Sequence, residues 1–374
     1  MRALLLGATG VVGRAVAGDL GRARDVERLF VAGRDRARVE WITHILGGPS
    51  ERVTGLTFDL TDERATRRAM AGLELDIVAS CAGPAEGLEL AGIRAAIEAS
   101  ASWVSLCDDH QVSKGLAVLG PQAVAANVTV VPGCGLSPGI TNLLVALAAA
   151  ELESLEEIEI AVAGASLDAP GTATALQFLA ALRIDAPLIS DHQPTSTRPA
   201  GAPKLVYFPE PVGWVETFRS GRPEIITLPH SYPSLRSLQF RMGIVEKALM
   251  DLARATAAVP FGSSEAGRRA WLRIGKPFRR AIELVPPTGR AWTAARVDVR
   301  GIHGGHSTTI SLGVVDHLAN LAALPLAQAA LTLGSGRIAR AGVHAPDQVF
   351  DAREFLSALT RRGIRVARLE PYPL

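Results

Sequence analysis

The sequence predicts an α/β protein: a doubly wound parallel sheet followed by a second, mixed α/β (α+β) domain. Three observations carry this. Short apolar, β-branched runs alternate with amphipathic helical stretches over the first 150 residues. The stretch "LLLGATGVVGR" at 4–14 places glycines 7, 10 and 13 where the first run gives way to the first helix. Beyond residue 157 the pattern changes to two-residue alternation and hairpin signals. A chain of 374 residues also exceeds what one hydrophobic core usually organises.

In chain order, strands are expected at 2–7, 28–33, 53–58, 75–80, 103–106 and 128–132. Helices are expected between and after them at 11–21, 35–46, 62–71, 87–100, 111–126 and 138–150. Right-handed crossovers turn such a series into an open parallel sheet, with ligands at the carboxyl edge of the strands. Residues 1–133 are expected to form this first domain, 134–340 the second, and 341–374 a closing segment near the domain junction.

The glycines of the first turn then have distinct duties. Gly7 lets the chain turn, Gly10 lets backbone approach a pyrophosphate, and Gly13 lets the helix pack closely on the sheet. The helix N-terminus presents free N–H groups and a positive dipole end to phosphates. A dinucleotide is the implied ligand. Its ribose partner is expected at the end of the second strand, which reads "LFVAGRDRAR". Arg34 there suits a 2′-phosphate, which favours NADP, with NAD still possible. Asp35 either reaches the ribose or caps the next helix. In "TFDLTD", Asp59 and Leu60 fall where the adenine edge would rest, and Thr61 or Asp62 serves as an N-cap. In "VASCAGP", the small residues Cys81, Ala82, Gly83 and Pro84 leave room for ribose and nicotinamide.

Cys81, Cys107 and Cys134 each follow a predicted strand. Free cysteine packs as a small hydrophobe, and no histidine or carboxylate partners stand at ligand spacing, so no metal site is expected. Asp108, in "CDDH" at the end of the fifth strand, could hold a substrate amine or act as acid or base. Asp109 or Ser113 could cap the helix that follows.

In the second half, 156–165 reads as a half-buried strand and 171–182 as a helix. Residues 295–314 read as two strands around a Gly304–Gly305 turn, with further helices at 244–258, 264–271 and 316–333. "LPHSYP" places His230 and Tyr232 in a Pro-bounded loop, where a titrating imidazole and a phenol could serve chemistry. His303 and His306 flank the hairpin turn and read as exposed turn residues. No tyrosine is followed four residues later by lysine, which argues against the simple carbonyl reductases that share the glycine spacing.

Composition narrows the class. Charge is nearly balanced at +2, with basic residues scattered and almost all arginine, so neither nucleic acid nor an anionic membrane is an expected partner. The N-terminal apolar run is too short for a signal core, and no stretch reaches a membrane span. Three cysteines without CxxC spacing suit a reduced, cytoplasmic setting.

"LLLGATGVVGRAVAGDL", "VAGRDRAR", "DIVASCAGP", "WVSLCDD" and "VVPGCGLSPGITNLL" occur in this order. Together they resemble the saccharopine dehydrogenase (saccharopine reductase)-like family of NAD(P)-dependent oxidoreductases, specifically over residues 1–150 and more loosely through 168–176 and 331–364. The resemblance implies a Rossmann-like nucleotide domain and a substrate domain through which the chain forms a homodimer. It implies hydride transfer to or from a C–N bond of a small-molecule substrate, by imine chemistry at an inter-domain cleft. It also implies that Gly7, Thr9, Gly10, Val11, Val12 and Gly13 wrap the pyrophosphate, with Arg34 at the 2′-phosphate. Asp59 and Leu60 would lie by adenine and Ala82 to Pro84 by nicotinamide. No paired-arginine signature for a dicarboxylic amino acid is present, and 185–235 is Pro-rich and irregular. Two other readings stay open: reduction of C=C or C=O with Tyr232 or His230 as proton donor, and a non-catalytic NADP-binding protein.

Overall fold

Residues 1–48, 50, 52–168, 182, 185–198, 201, 203–257 and 291–370 are described by the computed structural model. They divide into two compact units. The first comprises Met1–Leu147, Arg222–Ser231 and Ala319–Ile364; the second comprises Ala148–Gly221, Tyr232–Leu318 and Arg365–Leu374.

The first unit is built on β1 (Arg2–Leu6), β2 (Arg28–Gly33), β3 (Val53–Thr57), β4 (Ile77–Ser80), β5 (Ser102–Ser105) and β6 (Thr129–Val131). A short strand, β15 (Gly342–Val343), joins them, giving the order β15-β6-β5-β4-β1-β2-β3. Every pairing in this sheet is parallel. Leu4, Leu5, Leu6, Ile77, Val78 and Ala79 are fully buried, as expected for strands covered by helices on both faces. The chain passes from β3 back to β4 on the far side of β1, so the order reverses beside the glycine turn. The six strands read from the sequence are all present. The seventh, β15, is two residues long and carries no periodicity to read.

The covering helices are α1 (Val11–Arg22), α2 (Arg36–Ile45), α3 (Glu63–Met70), α4 (Glu89–Glu98), α5 (His110–Leu116), α6 (Gly120–Ala125) and α7 (Ile140–Ala149). The single helix expected over 111–126 is broken by a 3₁₀ turn at Ala117–Leu119. Pro121 lies in the first turn of α6, where its missing N–H costs nothing but a continuous helix would lose a bond.

The second unit centres on β7 (Ser154–Gly164), flanked by parallel β12 (Ser237–Ile244) and antiparallel β13 (Thr293–His303). Beyond β13 lie β14 (His306–Asp316) and β16 (Arg365–Leu369); beyond β12 lie β11 (Gly213–Arg219) and β10 (Lys204–Phe208). The hairpin β8 (Ala186–Ser190)–β9 (Gln193–Thr197) branches from β12. The β13–β14 turn follows the sequence expectation: Gly304 and Gly305 both take positive φ, +57° and +77°. The stretch read as irregular, 185–235, instead supplies β8 to β11 and the helix α8 (Glu224–Ser231). Prolines there lie within β8 and β9, at Pro187 and Pro194, inside α8 at Pro229, and in the connections between elements, which hides short strands from a periodicity reading. The expected helices at 244–258 and 316–333 are α9 (Lys247–Ala257) and α10 (Leu318–Gly334). Those at 171–182 and 264–271 lie outside the described residues, save Leu182. α11 (Pro346–Val349) and α12 (Ala352–Arg361) close the first unit.

Candidate cofactor site and strand-end rim

The turn from β1 into α1 has no room for a side chain at two of its glycines, Gly7 and Gly13. Gly7 takes φ +73°, and a Cβ there would lie 2.9 Å from the backbone of Cys81 and Ala82. A Cβ on Gly13 would lie 2.1 Å from the Gly7 carbonyl oxygen. The helix thus reaches the strand only because both residues are glycine. Gly10 is different: it is exposed, its amide donates to the Gly7 carbonyl at 3.1 Å, and a Cβ would meet only that oxygen, at 3.4 Å. It is the N-cap of α1, and no side chain caps the helix. The opening amides of α1, at Val11 and Val12, therefore face outward as uncapped donors, the arrangement a pyrophosphate requires. Thr9 leans over the end of β2, where a Cβ on Gly33 would touch its side chain at 3.1 Å. These residues fit a dinucleotide.

At the end of β2 the candidates separate by their partners. Asp35 is the N-cap of α2: its carboxylate accepts from the Arg38 amide at 3.2 Å and pairs with the Arg38 guanidinium. Arg36 is bound to Glu40 at 2.7 Å. Arg34 is exposed, and among the described residues it forms no hydrogen bond or close ion pair. Its charge does reach Asp59. That exposed carboxyl is held below the usual range first by the Thr61 amide and hydroxyl, both at 2.9 Å, and further by Arg34. Asp62, not Thr61, caps α3, accepting from the Ala65 amide. Leu60 packs its side chain on the core of the sheet.

The β4 end, Cys81 to Pro84, is open: a Cβ on Gly83 would meet nothing within 4 Å. Burial pushes the Cys81 thiol up to about 12, and raises Cys107 and Cys134 further. All three are free thiols, and among the described residues no cluster suited to a metal ion is found.

At the β5 end, Asp109 caps α5 through the Gln111 and Val112 amides at 2.8 and 2.9 Å. Asp108 is left for other work: its carboxylate accepts from the Arg222 guanidinium at 2.6 Å. The His110 Nδ1 meets the Arg222 carbonyl at 3.2 Å, and burial lowers its pKa, which favours the neutral ring. His230 is not in a loop. It ends α8, exposed, with Nδ1 on the Ile226 carbonyl at 2.8 Å. Buried Glu224 anchors the first turn of that helix, so Pro229 removes one bond without breaking it. Tyr232 opens the next segment of the second unit. His303 and His306 flank the β13–β14 turn, and His303 Nδ1 meets the Glu151 carbonyl at 2.8 Å.

Three buried or half-buried groups at this rim escape a sequence reading. Arg222 is one. Glu224 is a second: it is fully buried, accepts from Ser137 and from Thr141 at 2.8 Å, and desolvation raises its pKa. Asn142 beside it donates to Asp347 at 2.9 Å and accepts from the Gly139 amide, which braces the loop after β6. The third is Glu89, in the first turn of α4 and 3% exposed. It accepts from Trp103 Nε1 at 3.0 Å and from the Ser105 hydroxyl. Glutamates in apolar helix faces carry no periodic signal; here the one hint is Gly92, three residues on, where a Cβ would strike Trp103 at 2.5 Å.

A family model agrees with a nucleotide site in the first unit. Residues 3–131 match the family described as saccharopine dehydrogenase NADP binding domain. The chain is similar in structure to amine dehydrogenase from Mycobacterium smegmatis, at 12% identity and TM-score 0.48, covering 94% of this chain and 96% of that one. It is similar to C. glutamicum DAP dehydrogenase in complex with DAP, at 15% identity and TM-score 0.45, covering 97% and 99%. It is similar to GenD2 from gentamicin A biosynthesis in complex with NAD, at 14% identity and TM-score 0.42, covering 99% and 97%. No helix among the described residues is long and apolar enough to cross a membrane. Over residues 3–131 the chain thus matches a saccharopine dehydrogenase NADP binding domain, and it is an NAD(P)-dependent oxidoreductase.

Proposed function

We propose that the protein is an NADP-dependent oxidoreductase that transfers a hydride to or from the C–N bond of a small amine or imine. The observation that carries the reading is Asp108: a carboxylate at the carboxyl end of β5, excused from helix capping by Asp109 and oriented by Arg222. A carboxylate in that place favours a cationic nitrogen. A protonated iminium is already electrophilic, so the rim needs no strong acid beside it. The thiols are held neutral by burial. Bound NADP would supply the hydride chemistry, and the chain supplies binding and orientation. Gly7, Thr9, Gly10, Val11, Val12 and Gly13 would hold the pyrophosphate and Arg34 the 2′-phosphate. Arg34 supports NADP over NAD because Asp35, the residue that would otherwise reach the ribose, is committed to its cap. Three free thiols support a reducing compartment such as the cytoplasm, and the homodimer implied by the family resemblance belongs to the same proposal.

The test has two steps. NADPH and NADH are titrated against the protein by nicotinamide fluorescence, then a panel of amines with NADP⁺, and imines with NADPH, is followed for hydride transfer. Tight NADPH binding with turnover of an amine or imine is expected. Turnover confined to enoyl or carbonyl compounds, or binding with no turnover at all, would overturn the C–N reading.

A further inference from the structure

We propose that Glu89 is a positioning residue: its buried carboxyl, clamped onto Trp103 and Ser105, sets the carboxyl end of β5, and with it Asp108, according to its own protonation. The inference rests on the reading of the β5 end as the substrate rim.

The geometry is specific. One face of α4 lies on β5, with Gly92 flat against the Trp103 ring and Glu89 one turn earlier. A single oxygen, Glu89 Oε1, accepts from both the indole N–H of Trp103 and the hydroxyl of Ser105. Ser105 then passes the constraint on. Its Oγ accepts from the Cys107 amide at 3.4 Å, and its carbonyl accepts from the Cys134 amide at 2.7 Å. Thus the residue before Asp108, and the loop leaving β6, both hang on a serine whose hydroxyl is oriented by Glu89. The donors Trp103 and Ser105 are 1% exposed, so water does not replace them.

Burial and hydrogen bonding oppose each other at this carboxyl. Desolvation raises its pKa to about 7, while the bonds from Ser105 and Trp103 favour the ionised form. Among the described residues, the titratable groups facing it are the Cys107 and Cys134 thiols, both held neutral. Of the charged groups on neighbouring helices, Arg67 on α3 pairs with Glu98 at the far end of α4. His110 and Lys114 lie on α5 and make no bond to Glu89. As an anion Glu89 grips both donors strongly; once protonated, its grip weakens and Ser105 is free to reorient.

The experiment is a pH titration of the full-length protein by amide NMR, following the Trp103 indole N–H and the backbone amides of Cys107 and Asp108. In wild type all three resonances are expected to move with one midpoint near 7, and in Glu89→Gln to stay flat. Ser105→Ala removes a bond that favours the anion, so its midpoint moves to higher pH, by about one pH unit. That second variant decides the matter even if Glu89→Gln folds poorly. NADPH affinity stays within about twofold in both, since neither touches the phosphate turn. With an amine that turns over, the limb of kcat against pH near 7 disappears in Glu89→Gln while KM is kept. Movement at Trp103 without movement at Cys107 and Asp108, or a limb that survives in Glu89→Gln, would overturn the proposal. Absence of any amine turnover would instead count against the C–N reading, and the amide titration would still decide the role of Glu89.

Discussion

A Cβ placed on Gly13 would lie 2.1 Å from the carbonyl oxygen of Gly7. No rotamer relieves that contact, because a Cβ is fixed by its own backbone and the oxygen belongs to another. Gly13→Ala must therefore push α1 away from β1, at a cost of about 1–3 kcal/mol in stability. The uncapped amides at Val11 and Val12 would move with the helix. Denaturant unfolding and NADPH titration of the same variant are expected to show both losses. Gly10→Ala makes an instructive contrast: its Cβ finds space in the free protein, so stability should hold while NADPH binding falls.

Among the described residues Arg34 is the one arginine of the β2–α2 corner that makes no hydrogen bond or close ion pair, its charge reaching Asp59 only at longer range, whereas Arg36 and Arg38 are paired with Glu40 and Asp35. Arg34→Ala is expected to weaken NADPH binding by about 10- to 100-fold, the worth of a charge-assisted phosphate contact. NADH should be unaffected. Asp35→Ala should instead cost about 1 kcal/mol as a lost N-cap and leave the NADPH/NADH ratio as it was. Fluorescence titrations of both variants with both nucleotides separate the two residues.

These two corners were legible in the sequence for a physical reason. A βα turn that must admit a phosphate has no freedom in its glycines, and a parallel strand buried on both faces announces itself as an apolar run. The β5 rim was only half legible. Asp109 could be read as a cap candidate, but not separated from Ser113, because capping depends on which backbone amides a side chain meets; the cap is Asp109. Arg222 lies 114 residues from Asp108, and no local pattern joins them. The same holds for Glu89, whose partners lie on the next strand. His230 was misplaced because two prolines in six residues read as a loop, while the helix is held by tertiary burial of Glu224.

The Asp108–Arg222 pair is mostly shielded, with 28% and 17% of the two side chains exposed. Removing one partner leaves a charge without its counterion in a poorly solvated place. Asp108→Asn and Arg222→Met are each expected to destabilise the protein, and the double variant to lose less than their sum. A coupling of about 1 kcal/mol or more in a double-mutant cycle is the expected result. Additive losses would show that the pair is oriented by other contacts.

Burial holds all three thiols well above their ordinary range. Since the thiolate is the reactive form, alkylation by iodoacetamide at about pH 7.5 should be slow in the native protein and fast after denaturation. Mass spectrometry of the adducts over time checks this. Cys81→Ser should retain NADPH binding, because the rim uses the smallness of that residue and not its sulfur.

Glu89 gives stability a pH dependence of the opposite sign to most carboxylates. Its pKa in the folded chain, about 7, lies above the ordinary value of 4.5 that it regains on unfolding. The folded state therefore binds the proton more tightly than the unfolded state does. The stabilisation is complete below about pH 4.5 and is lost as pH rises through about 7. The loss amounts to a few kcal/mol, since a tenfold difference in proton affinity between the two states is worth about 1.4 kcal/mol. Glu89→Gln keeps an oxygen for Trp103 and Ser105 but cannot ionise. Its stability relative to wild type should therefore be more favourable at pH 8 than at pH 5, by guanidinium unfolding at each pH. An equal difference at both values would mean that Glu89 stays ionised in the fold. The clamp would then still join α4 to β5, but it would have no proton to respond to.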